Sequence, residues 1–565
     1  MKQSSQSSAL LIANRLLAYL NGWIELEAWD VLVIGNGPAA LRSAASSAKQ
    51  GAQTLMVSPN ALGGGSSFAL DGLSSAIQES NNKGHREDTI LTGSYLCDQD
   101  IVSIRTSQAI KEMDLLERWG VIFQRDAKGL PIAHMGIGHS KPRIVNSGDG
   151  MGKEIQQVLE EQCMKYGVVR RGDQVPISLV HNNNSVCGVI TADLVNGNFV
   201  AIQCKALILA DGGFEEVFSN GKANIGMDLA LRSGVPLRGM EFISKSPLSV
   251  KDTNMILPFG MINSGATIHQ VDGTPVEAGT IIEMCKISND SGTVVLDARE
   301  MGDQSKWWNS IFRNVKQRTG IDISKQTVAL ENQVDATLGG LPIDEHGRVV
   351  IGKWSRWFTG LYSAGDAACS GLHGAGLLQG NRLLDSLAGG NSAGQHAGNW
   401  SNSSKFSGTN LIKESLEMAN SNHNSRFANK EENDSVVRIG IVSSKLREIA
   451  LNYANNDNDS ESYSQLIESL EELTIVADSI HLDQESLIAN TNMLSMIQTQ
   501  AGIRLLKCAL RASLARNESR GLHQRNDFQE QDSDLLHHIT VDNDGKIGTL
   551  ALRKSETGNW ILTPQ

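Results

Sequence analysis

No two of the seven cysteines in this 565-residue chain stand as a CxxC pair; Cys97, Cys163, Cys187, Cys204, Cys285, Cys369 and Cys508 are scattered and odd in number. That spacing argues against a disulfide framework and against a zinc or iron–sulfur site built by this chain alone, and it points to a reducing compartment. Positive charge is also short: 50 Lys and Arg against 62 Asp and Glu leave a formal charge of −12. A surface of that sign repels a polyanion instead of releasing its counterions, so no nucleic-acid partner is expected. No apolar run reaches the ~20 residues of a membrane helix, so no direct membrane insertion is expected. The apolar stretch 9–20 is interrupted by Asn14 and Arg15 and lacks the basic start and cleavage site of a signal peptide, which leaves a short helix.

Glycine is in excess instead, at 55 of 565 residues without the every-third-residue period of collagen, and glycine-rich turns around a ligand account for it. Apolar residues at 40% and charged residues at 20% describe a globular chain. Its length predicts about three or four folding units. Residues 30–34 read as a short β-branched strand that runs into Gly35-Asn36-Gly37-Pro38-Ala39-Ala40, a small-residue helix to Ala48 and a second strand at 54–58. In such a unit the helix N-terminal amides meet a pyrophosphate, and the two flanking strands are what make a short GxGxxA pattern specific. A tight turn that binds nothing is the alternative. Ser58 stands where an acidic residue would hold ribose hydroxyls, so ribose recognition is weaker or comes from elsewhere.

Gly63-Gly64-Gly65-Ser66-Ser67 offers backbone amides to a flat or anionic ligand, or serves as a flexible loop. A strand within 199–210 ends in Asp211-Gly212-Gly213, which suits a return to the nucleotide site. A third cluster holds Gly339-Gly340, the run 360–368 with Gly365 and Asp366, and His373-Gly374-Ala375. The nucleotide domain is therefore split by an insertion. Its two parts are expected at 1–239 and 332–400, with a capping domain at 240–331 between them. A loosely ordered linker rich in Ser and Asn follows at 401–435, then a helical bundle at 436–520. The last segment, 521–565, contains a hairpin turned by Asp542-Asn543-Asp544-Gly545.

Four separated segments carry a resemblance: the turn at 35–40; Ser94-Tyr95-Leu96-Cys97-Asp98-Gln99-Asp100; the block 340–385; and Glu518-Ser519-Arg520-Gly521-Leu522-His523, continued by Arg525, Asp527 and Phe528. In order and spacing they resemble the flavoprotein subunits of succinate dehydrogenase, fumarate reductase and L-aspartate oxidase, with this chain a divergent member. The resemblance implies an α/β, Rossmann-like FAD-binding domain split by an inserted α+β capping domain, then a helical bundle and a small C-terminal β segment. It implies FAD with its pyrophosphate at Gly35, Gly37 and Ala40 and Ser58 near the adenosine ribose. Gly64, Gly65, Ser66 and Ser67 would approach the isoalloxazine, and Asp211 and Gly212 belong to the same nucleotide site. Gly365 and Asp366 would bind the ribityl side, and Asn381 and Leu383 would lie by the pyrimidine edge. Relatives that attach FAD covalently use a histidine near 65–70; no histidine precedes His85 here, so non-covalent FAD is expected.

The chain departs from the family where dicarboxylate chemistry needs cations and a proton carrier. Ser246, Pro275, Asp335 and Leu377 fall at the positions of the family's two histidines and two arginines. Arg382 and His373 are the candidate catalytic residues, with Lys245 and His269 as further replacements. Each has a plainer alternative: a helix salt bridge for Arg382, packing beneath a loop for His373, a solvated face for Lys245 and a surface strand for His269. Arg520, His523 and Arg525 read equally as a solvated or interdomain face and as neighbours of the site. Two functions stay open: an FAD-dependent oxidoreductase with an altered small-molecule substrate, or a redox-silent paralogue that keeps FAD as a structural or assembly subunit. The first implies an iron–sulfur electron-transfer partner or dioxygen as acceptor, in the cytoplasm and peripheral to the membrane through partner subunits.

Overall fold

The computed structural model describes residues 26–63, 67–77, 82–290, 293–425, 437–455 and 459–564. The helix expected at 9–20 lies outside the described residues, as do Gly64, Gly65 and Ser66.

Strand β1 (Leu26–Ile34) carries Val31, Leu32, Val33 and Ile34, all fully buried. A continuous apolar run of this kind belongs to a parallel sheet covered on both faces. Leu32 and Ile34 enter one core and Val31 and Val33 a second, because successive strand residues point to opposite faces. Helix α1 (Pro38–Lys49) follows, and β2 (Thr54–Val57) lies parallel to β1 with Ile34 beside Val57. Helices α2 (Gln99–Trp119) and α3 (Met151–Lys165) lead to β3 (Val169–Arg171), the antiparallel pair β4 (Gln174–Asn182) and β5 (Ser185–Asp193), and β6 (Asn198–Leu209). Strand β6 is parallel to β1 with Leu209 beside Ile34, so the turns after these two strands emerge side by side.

The inserted segment supplies β7 (Ile243–Val250), β8 (Thr267–Gln270), helix α4 (Ile281–Asp290), β9 (Val294–Asp297) and β10 (Val328–Thr337). Its four strands form an antiparallel sheet in the order β7-β10-β9-β8. Pairing of Ile243 with Thr337 carries β10 past position 331, where the sequence places the return to the nucleotide domain. Strands β11 (Arg348–Ile351) and β12 (Lys353–Ser363) then rejoin the first sheet, in the order β11-β12-β5-β6-β1-β2-β3 with β4 also on β5.

Helix α5 (Asn381–Ser403) packs on α1 through glycines spaced one turn apart. A Cβ at Gly390 would stand 2.7 Å from the carbonyl oxygen of Ala39, and one at Gly398 2.8 Å from that of Ser47. Backbone meets backbone there, with no room for a side chain. The described part of the expected loose linker, 401–425, is structured, with helix α6 (Asn410–Ser425) in it, while 426–435 lie outside the described residues. Ile412, Leu416 and Ala419 recur on one face of α6 and are buried against Val180, Cys187 and Ile190 of the sheet. Three helical-spaced apolar residues outweigh the polar composition. Helices α7 (Ile439–Asn455), α8 (Ser460–Asp478) and α9 (Thr491–Ala515) share a core with Leu207 and Leu209 of β6. The hairpin β13 (His538–Val541) and β14 (Ile547–Leu550) closes the chain and pairs with Leu237 and Arg238.

Candidate functional site

The turn between β1 and α1 is built for close approach. Gly35 has φ 130°, and a Cβ there would lie 2.7 Å from the carbonyl carbon of Ala210. Gly37 caps α1 without any side-chain bond, and Pro38 begins the helix, so the first-turn amides face outward at the positive end of the helix dipole. Gly365, at φ 64°, sits 2.7 Å (as a hypothetical Cβ) from Ala39. Gly37, Ala39, Asp211, Gly212, Gly365 and Asp366 line a cleft of about 440 Å³. Asp211 Oδ2 accepts the amides of Ile225 and Gly226 at 2.9 and 2.7 Å, while its buried Oδ1 has no partner among the described residues. Burial raises the Asp211 carboxyl to about 6.

Arg382, in the first turn of α5, is the hub of the cleft's inner end. It donates to Asp366 at 2.8 Å, to Glu215 at 3.1 Å and to the Asp335 carbonyl at 3.0 Å, and its guanidinium lies 4.6 Å from the Phe68 ring centroid. Beyond Arg382 a cavity of only about 20 Å³ remains, lined by Asp71, Asp335, Leu377 and Leu383 among others. Burial lifts Asp71 to about 7, with Asp335 adding to the effect, and lifts Asp335 itself to about 6. Glu215 rises to about 7, through burial and the nearby Asp366, although Arg382 pulls it down. The inner end therefore holds Asp71, Asp335, Glu215 and Asp366 against a single guanidinium.

Other expected site residues are placed elsewhere. Ala40 is fully enclosed in the core beneath the turn. Ser58 is buried at the end of β2, its hydroxyl accepting the Asn60 amide at 3.1 Å. Ser67 opens a short turn, Ser67–Asp71, leading to Asp71. The Asn381 side chain points away from the cleft, bonding Ser74, His85 and Thr89 at 2.6 to 3.0 Å. His373 lines neither cavity; it sits 3.8 Å from Asp385, and burial depresses its basicity. Pro275 lies in an exposed turn paired with His269, and neither enters the site. Lys245 is not on a solvated face: its ammonium meets the Ala454 carbonyl, between the inserted segment and α7.

Arg520, His523 and Arg525 are buried instead of forming a solvated surface. Arg516 joins Glu241 and Glu518 at 2.8 Å each, and Arg520 joins Glu518 at 2.8 Å. Arg520 also donates to the Ser94 carbonyl, so the two quoted segments around 94–100 and 518–528 meet in space. Asp98, between Arg238 and His538, is held far below the usual carboxylate range by those charges despite its burial. Sequence reading missed Phe68, Asp71 and Glu215. Each follows a glycine pair or triplet by a few residues, and no spacing rule separates such residues from ordinary loop positions.

The FAD binding domain family matches residues 30–383, and the fumarate reductase flavoprotein C-terminal family matches 443–561. This chain belongs to the succinate dehydrogenase and fumarate reductase flavoprotein family. It is 25% identical to the succinate dehydrogenase flavoprotein subunit of Rickettsia bellii, over 92% of this chain and 94% of that one. It is 24% identical to the fumarate reductase flavoprotein subunit of Escherichia coli, over 95% of each. The quinol fumarate reductase structure of Escherichia coli superposes with a TM-score of 0.86 at 21% identity, covering 96% of this chain and 99% of that one. An adenosine-5-phosphosulfate reductase shares the fold at a TM-score of 0.74 and 15% identity.

Membership makes the chain an FAD flavoprotein oxidoreductase, and the cleft fits the dinucleotide. Close-approach glycines and an uncapped helix N-terminus are the features a pyrophosphate requires. Among the described residues no helix is long and apolar enough to cross a membrane.

Proposed function

We propose that this flavoprotein oxidises or reduces a small substrate that is neutral or cationic, not a dicarboxylate. The supporting observation is Asp335, buried with Asp71 beside Leu377 at the inner end of the FAD cleft. Arg382 cannot serve as a carboxylate clamp, because Asp366 and Glu215 already engage it. A substrate carboxylate would approach uncompensated carboxylates, at about 4 kcal/mol per pair of unit charges 4 Å apart at an effective dielectric constant of 20. Ser246 adds no cation: its hydroxyl is buried in β7 and accepts the Leu248 amide.

FAD, when bound, supplies the two-electron chemistry. Gly37 and the first turn of α1 would hold its pyrophosphate, and Asp366 would take ribityl hydroxyls. Asp335 and Asp71, lifted to about 6 and 7, are matched to taking or returning a proton near neutral pH. Electrons would pass to or from an iron–sulfur partner subunit, or leave to dioxygen when the substrate is oxidised, and attachment to a membrane would come through such partners. FAD would be non-covalent, so acid precipitation should release it.

A second reading, a subunit that holds FAD without turnover, is favoured by one observation. The cavity of about 20 Å³ has room for about one water molecule. Turnover requires Phe68 and the inserted segment to give way. Two anaerobic experiments on the purified protein separate the outcomes: reduced flavin is offered fumarate, and oxidised flavin is offered a series of primary amines. The proposal expects no reoxidation by fumarate and flavin reduction by at least one amine. Rapid reoxidation by fumarate refutes it, and flavin inert to every substrate favours the second reading.

A further inference from the structure

Strand β7 presents one face to the FAD side and the other to a separate space. Its alternation turns Ser244 and Ser246 one way and Ile243 and Lys245 the other. Ile243 and Lys245, with Glu241 just before the strand, line a cavity of about 260 Å³. Its other walls include Ile282 of α4, Tyr453 of α7 and Tyr463 of α8, together with Leu522, His523 and Gln524 from the segment after α9.

Two polar groups beside this cavity are incompletely bonded, and of these the Lys245 ammonium is the one available to a ligand. Glu241 Oε1 takes Arg516, but Oε2 is buried and has no hydrogen-bond partner among the described residues. The Lys245 ammonium has three donors and meets only the Ala454 carbonyl, and among the described residues no carboxylate pairs with it. A largely enclosed cation without a counter-ion is unfavourable until an anion joins it. Consistently, burial depresses the basicity of Lys245. Isoleucines, Leu522 and the tyrosine rings supply an apolar part of the wall, beside the polar Lys286, Asn455, His523 and Gln524. At about 260 Å³ the space exceeds the ~150 Å³ that accepts benzene and falls short of the ~300 Å³ at which drug-sized pockets begin.

We propose that this cavity binds a small organic monocarboxylate with an aromatic or branched hydrocarbon body, its carboxylate on Lys245 and its body against Ile282, Tyr453 and Tyr463. The site lies across β7 from the FAD cleft and does not depend on the substrate proposed for that cleft. Because its walls belong to the inserted segment and to the C-terminal helices with the segment after them, an occupant ties the two sides together.

The test is calorimetric titration of the FAD-loaded full chain with benzoate and with benzyl alcohol, its uncharged counterpart. One benzoate per chain should bind, at least about tenfold more tightly than benzyl alcohol, equivalent to about 1.4 kcal/mol. Lys245→Met should remove that preference and leave benzyl alcohol unchanged. Ile282→Trp, which fills the cavity from a half-buried position, should abolish both. Equal affinity for the two probes, no saturable binding, or benzoate binding that survives Ile282→Trp overturns the proposal. FAD content and melting temperature report whether each variant folds; if Lys245→Met does not, the probe preference in the unmodified protein and Ile282→Trp decide the matter.

Discussion

Asp335→Asn probes the electrostatics of the inner cleft most directly. Burial lifts the Asp335 carboxyl to about 6 from the ordinary 3.8, with Arg382 pulling the other way. The folded chain therefore holds this proton more tightly than the unfolded chain does. The stabilisation that this provides is complete below about pH 4 and is lost as pH rises through about 6. Above that range the difference between about 6 and 3.8 leaves the ionised carboxylate costing about 3 kcal/mol relative to an uncharged group of the same shape. The substituted carboxamide does not titrate, so Asp335→Asn should be more stable than the parent by about 3 kcal/mol at pH 8 and by about half of that at pH 5. For a chain of this size the pH 8 difference amounts to a few °C in melting temperature. Circular dichroism and flavin-fluorescence melts of the FAD-loaded protein at both pH values read it. A variant that melts lower at pH 8, or by an equal margin at both pH values, would refute a burial-dominated Asp335.

Arg382→Met removes the cation from Asp366 and Glu215 and should cost about 3–5 kcal/mol at pH 8. The loss should shrink at pH 5, where Glu215, lifted to about 7, is protonated; melts and FAD content at the two pH values check it. Gly394→Val places a side chain where an ideal Cβ already lies 2.9 Å from the Ser43 carbonyl carbon, so α1 must move and bound FAD should fall together with thermal stability. Ile412→Ala should cost about 2–5 kcal/mol if α6 is packed as described, measured by urea denaturation; no effect would return that segment to a loose linker. Glu518→Gln leaves Arg516 and Arg520 undercompensated inside the protein and should cost about 3–5 kcal/mol, seen as a lower melting temperature and raised susceptibility to proteolysis near the C-terminus.

Much of the architecture was legible because it depends on local chemistry. A β-branched run followed by Gly35 and Gly37 predicts a strand and a helix N-terminus wherever it occurs, and β1 and α1 follow it within a few residues. The hairpin around Asp542 and Gly545 is legible for the same reason. Composition misled at 401–425, where three apolar residues on one face of α6 outweighed many Ser and Asn once β4, β5 and β6 offered a surface. The buried ion network around Glu518 was ambiguous in sequence, because charge spacing says nothing about burial.

Chain order and residue type settle the nucleotide turn, since it is a property of a short segment. They do not settle which side chains meet. Asp71, Glu215, Asp335 and Arg382 are far apart along the chain and converge because β6 lies beside β1, β10 crosses from the inserted segment and α5 begins at Asn381. Whether a lysine such as Lys245 is solvated or enclosed likewise depends on a helix 209 positions away. Burial and pairing are sums over distant segments, and those sums set the charge, the basicity and the room that a site offers.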